Sequence, residues 1–97
     1  LKYFGVHGSF EGYGSGLYII EATDLERAKL NLLSTPYCVK GLYAWNSQMK
    51  HIAGLPASLQ EIKGEWAESL SDTIDNIRNR ETDYYVYVGN GVYFVEI

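Results

Sequence analysis

Cysteine is almost missing from this chain of 97 residues. Cys38 stands alone, which rules out an internal disulfide and fits a reducing cytoplasm. Histidine is nearly as scarce: His7 and His51 lie far apart, and no Cys-x-x-Cys or His-x-x-x-His spacing occurs. A metal centre or a bound cofactor is therefore not expected, and nothing brings Cys38 to either histidine as a nucleophile and base. Proline is confined to Pro36 and Pro56. No apolar run approaches the roughly 18 residues of a membrane span, and no signal-peptide pattern follows Leu1. Basic residues are in short supply too, with 8 Lys and Arg against 12 Asp and Glu. That balance disfavours direct contact with nucleic acid, whose phosphates call for a basic surface, and suits a basic partner instead.

Apolar residues, at 46% of the sequence, are enough for one core, so residues 1–97 read as a single domain. Residues 2–10 and 17–22 are rich in Tyr, Phe, Val and Ile and flank Glu11-Gly12-Tyr13-Gly14-Ser15-Gly16, two strands joined by a flexible connection. Thr23 with Glu26 fits a capping box for a helix from about Asp24 to Leu33, carrying Leu25, Ala28 and Leu32 at helical spacing. Pro36 stops it. Residues 37–46 alternate as a strand through Tyr37, Val39, Tyr43 and Trp45, although Leu42, Trp45, Met49 and Ile52 also fit a helix.

Leu59, Ile62, Trp66, Leu70, Ile74 and Ile77 then recur near a period of 3.6 and outline the buried stripe of a second helix, which Gly64 could divide in two. Finally, Asn90-Gly91 between two alternating apolar runs is a strong hairpin signal. A two-residue loop there pairs Val88 with Tyr93 and Val86 with Val95 on one side, and Tyr87 with Phe94 and Tyr85 with Glu96 on the other. The expected fold is α+β: a mostly antiparallel sheet of about five strands, in the order ββαβαββ, with two helices on one face.

Two groups of residues stand out as candidate contacts. Glu61, Glu65, Glu68, Asp72 and Asp75 are spaced four, three, four and three residues apart, with Lys63 the one base between Gln60 and Ile77. On a helix they would form a single stripe, neighbouring like charges each costing a few tenths of a kcal/mol. Over roughly 21 Å the row would carry charge at a density near that of a DNA strand, with its roughly 3.4 Å axial spacing, and could imitate a phosphate backbone. A solvated, solubilising face is the simpler account of the same row. The second group is aromatic. Nine tyrosines and two tryptophans exceed what a small core needs, and such side chains are favoured anchors at protein interfaces. The hairpin face bearing Tyr85, Tyr87 and Phe94 is the candidate platform.

Two stretches resemble known families. His7-Gly8-Ser9 and Gly14-Ser15-Gly16-Leu17-Tyr18 resemble two pieces of the ADP-ribosyltransferases, which implies an NAD site containing His7, Ser9 and Tyr18. Only four residues separate Ser9 from Gly14, where that family has a long NAD-embracing segment, and no catalytic acid is assignable. Separately, Ile20-Glu21-Ala22-x-x-Leu25-x-x-Ala28-Lys29 with Ser34, Cys38 and Gly41 resembles the strand-helix-strand core of small phage anti-CRISPR inhibitors of type I systems. That resemblance implies a non-enzymatic, compact inhibitor, monomeric or homodimeric, acting in the host cytoplasm on the basic DNA-binding surface of a CRISPR effector complex. A structural subunit that pairs through the edge of its C-terminal hairpin is a further expectation.

Overall fold

Leu17-Tyr18-Ile19-Ile20 is an unbroken apolar run, so a strand built from it must be covered on both faces. The computed structural model, which describes residues 1–10, 12–34 and 59–96, meets that demand by placing this strand at the centre. Strand β1 (Lys2–Phe10) and strand β2 (Gly14–Ala22) form a hairpin, and helix α1 (Leu25–Leu33) follows. A two-residue strand β3 (Gln60–Glu61), helices α2 (Glu65–Ser69) and α3 (Ser71–Arg78), a 3-10 turn (Thr82–Tyr84) and strands β4 (Val86–Gly89) and β5 (Val92–Glu96) complete the described chain. The five strands form one antiparallel sheet in the order β3-β1-β2-β5-β4. The α+β class expected from the sequence is the class observed.

The helices do not share one face. Phe4, Val6, Tyr18, Ile20, Val92 and Phe94 pack with Ala28 and Leu32 of α1, whereas Tyr3, Leu17, Ile19 and Tyr93 pack with Ile62, Ile74 and Ile77 beneath α2 and α3. Alternate residues of β2 thus enter different cores, and Tyr18, Ile19 and Ile20 are all fully buried. Each such aliphatic side chain contributes about 1.5–3 kcal/mol on burial, and covering only one face would forfeit half of that. On the α2–α3 side Trp66 lies across Gly5, where an added Cβ would come within 2.7 Å of the indole.

The second helix is shorter than its apolar spacing suggests. Gly64 has φ +63°, a left-handed conformation that no helix interior contains, and it stands as the N-cap of α2. Upstream of it the chain is extended: Gln60 and Glu61 pair with Gly5 and Phe4, and Ile62 N–H donates to the Tyr3 carbonyl at 2.8 Å. Leu59 and Ile62 consequently enter opposite cores. Their spacing with Trp66 fits a helix by coincidence, because three residues along an extended chain send the two side chains to opposite faces, and both faces of this sheet are covered.

Local chemistry explains the other boundaries. Asp24, not Thr23, caps α1, its carboxylate accepting from Arg27 N–H at 2.8 Å. Before β2, Tyr13 N–H donates to the Phe10 carbonyl at 2.9 Å, and the Phe10 and Tyr13 rings stack at 5.4 Å. After α3, Arg80 N–H donates to the Ile77 carbonyl and Glu81 N–H to that of Asn76, the paired bonds of a Schellman cap. Arg80 occupies its left-handed position at φ +57°. The C-terminal hairpin turns on Asn90 and Gly91 at φ +53° and +73°, as a type I′ turn requires. Gly89 pairs with Val92 as expected, but Tyr87 then meets Tyr93 and Val86 meets Phe94. One extra residue between Tyr87 and Gly89 makes a bulge, and Gly89 at φ +117° accommodates it. The strand expected over residues 37–46 lies outside the described residues.

Two substitutions with opposite signs test these turns. Arg80→Gly removes a left-handed non-glycine residue and should stabilise the fold by about 1 kcal/mol. Gly91→Ala adds a Cβ 2.9 Å from the Glu21 carbonyl at positive φ and should destabilise it by at least about 1 kcal/mol. Urea denaturation midpoints at constant m-value are the measurement.

Candidate functional site

Glu65 and Glu68 on α2 and Asp72 and Asp75 on α3 are all exposed. The helical path continues past Leu70, where φ −105° departs from helix geometry, through hydrogen bonds from Leu70 to Trp66 and from Ile74 to Leu70. The apolar side of this segment is fixed by Ile74 and Ile77 in the core, so the carboxylates take the solvent side. Asp75 pairs with Arg78 at 4.0 Å. Glu65, Glu68 and Asp72 make no ion pair among the described residues. Glu61 does not belong to this row: it lies in β3, half-buried, 3.8 Å from Lys2. Thus four of the five expected acids share a helical segment, and the break at Gly64 removes the fifth.

The aromatic platform is also rearranged. Phe94 is 1% exposed and packs with Phe10, Tyr13 and Tyr18 on the α1 side, so it cannot meet a partner. Tyr85 and Tyr87 are on the other side, flanking Tyr93 with ring centroids 5.1 Å away in each case. The bulge is the cause, since it moves Tyr87 from Phe94 to Tyr93. Tyr93 has taken the place assigned to Phe94 as the neighbour of Tyr87, and the one-residue register shift that brings Tyr87 to it carries no sequence signal beyond Gly89 itself.

These three rings line an open groove of about 420 Å³ whose remaining walls are Glu21, Arg80, Thr82 and Gly91. Glu21 is carried by β2 and tied to the hairpin turn through its N–H, which donates to the Gly91 carbonyl at 2.9 Å. Its carboxylate accepts from the Tyr3 hydroxyl at 2.8 Å, while the Arg78 guanidinium lies 5.2 Å from the Tyr3 ring centre. The Schellman cap brings Arg80 to the groove, and the Gly91 N–H donates to the Tyr87 hydroxyl at 3.3 Å. Burial, followed by the neighbouring Glu21 carboxylate, raises the Tyr93 hydroxyl pKa above its ordinary value. Burial and the hydrogen bond to Glu21 raise that of Tyr3. Glu21, Arg80 and Thr82 were not among the expected site residues, because Glu21 and the Arg80–Thr82 segment lie far apart in the chain and only the folded sheet brings them together.

The side chains suggestive of an NAD site do not converge. His7 and Ser9 are exposed and share a face with Leu17 and Ser15, their partners across the hairpin. Tyr18 is fully buried on the opposite face, where its hydroxyl donates to the Ser9 carbonyl at 2.7 Å. Among the described residues no three His, Cys, Asp or Glu side chains gather as metal ligands, and no helix is long and apolar enough to cross a membrane. Neither the family models, the curated proteins nor the solved structures contain a match to the chain.

Alkaline unfolding checks the tyrosine environment. A hydroxyl with a raised pKa holds its proton more tightly when folded, so its contribution is complete below about pH 10, the ordinary tyrosine value, and is lost as pH climbs through the raised value. Thermal midpoints should fall steeply above about pH 10. Tyr3→Phe and Tyr93→Phe should each shallow that fall, and an unchanged slope in both variants would refute the assignment.

Proposed function

We propose that this chain is a non-enzymatic binding protein, of the inhibitor kind encoded by phages and mobile elements, that docks on a basic nucleic-acid-binding surface of another protein. The observation that carries this reading is the exposed row Glu65, Glu68 and Asp72, which has no ion-pair partner among the described residues. Such carboxylates can pair with the Lys and Arg side chains that otherwise hold phosphates. Exposed Tyr87 would supply further apolar contact area. The resemblance of residues 20–41 to anti-CRISPR inhibitors makes the DNA-binding surface of a CRISPR effector complex the target of first choice. Its Cys38 and Gly41 lie outside the described residues. Occlusion of the basic surface would suffice for inhibition, without chemistry.

Charge reversal is the direct test. The Glu68→Lys/Asp72→Lys double variant should capture the target from lysate of the native host at least about tenfold less well than the parent chain, and capture by the parent should weaken as salt rises. Both positions are exposed, so the fold should survive, as circular dichroism would verify. Equal capture by the two proteins at low salt would return the acidic row to a solubilising role.

A further inference from the structure

We infer that the groove walled by Tyr85, Tyr87, Tyr93 and Glu21 takes one arginine side chain of a partner protein. The inference rests on the docking reading for the source of that side chain, but its chemistry comes from the groove. Three tyrosine rings meet at Tyr93 with centroids 5.1 Å apart, and aromatic faces attract cations through their quadrupoles. The adjacent carboxylate of Glu21 supplies a full negative charge. Both Glu21 and Arg80 stand in the wall, and the Tyr93 hydroxyl feels Glu21 more strongly than Arg80. Arginine suits the site better than lysine, since its planar guanidinium stacks on aromatic rings and is more weakly hydrated. The groove adjoins the end of the helical segment that bears Asp72 and Asp75, so a basic partner lying along that segment could reach it.

The experiment is a nuclear magnetic resonance titration of the full chain with N-acetyl-arginine methylamide. N-acetyl-citrulline methylamide serves as the uncharged analogue, and tetramethylammonium as a cation that cannot donate hydrogen bonds. Saturable shifts of the Tyr85, Tyr87 and Tyr93 ring signals are expected with arginine and not with citrulline. Tyr87→Leu, at a residue 58% exposed, and Glu21→Gln, which keeps an acceptor for Tyr3, should each weaken binding at least about fivefold. Arg80→Asn should tighten it by removing a like charge. Equal shifts with citrulline, saturation by tetramethylammonium alone, or loss of binding in Arg80→Asn would each overturn the inference. If arginine binds while the acidic double variant still captures its target normally, only the docking reading falls; if capture depends on the acids but arginine fails to bind, only this inference falls.

Discussion

Burial of β2 on both of its faces is the constraint on which the rest of this structure depends. A strand with Leu17, Tyr18, Ile19 and Ile20 in succession cannot lie at an edge or leave one side to solvent. It takes β1 and β5 as neighbours, α1 over one face and α2–α3 over the other. Each flanking element then inherits a direction. The apolar side of α3 is held down by Ile74 and Ile77, which turns Asp72 and Asp75 outward. The acidic surface is thus the reverse side of a core contact.

The groove arises where that arrangement ends. The Schellman cap stops α3 with a non-glycine residue in the left-handed region, and the chain doubles back through the 3-10 turn into β4. The hairpin bulge aligns Tyr87 with Tyr93. These two departures from regular geometry bring Arg80, Thr82 and the tyrosines beside Glu21. Left-handed residues and bulges both cost free energy, and here both border the same concave surface.

Acidic row and tyrosine groove would offer different kinds of recognition. Exposed carboxylates act over a screening length and mainly govern the rate of encounter and its salt dependence. Clustered rings and a carboxylate in a concavity act only at contact and favour one shape of cation over another. The His7, Ser9 and Tyr18 side chains, divided between the two faces of β1–β2, assemble no comparable site.

Several features were legible in the chain itself because their causes are local. Asn90-Gly91 specifies a turn with two positive φ angles, alternating apolar residues specify strands, and Pro and Gly punctuate them. The α+β class and the solvent side of Glu65, Glu68, Asp72 and Asp75 follow from such patterns. What only the tertiary structure decided was every question of which surface meets which. Apolar period alone could not separate a short edge strand at Gln60–Glu61 from another helical turn, so Glu61 was expected on the wrong element. Pairing of β5 with β2 buried Phe94 beside Tyr18 and put Tyr93 on the other face, and a one-residue bulge in β4 then re-aimed Tyr87 toward Tyr93. The choice of opposite faces for the helices was likewise a property of the assembled sheet, because two-sided burial of β2 is satisfied only when residues far apart in the chain pack together.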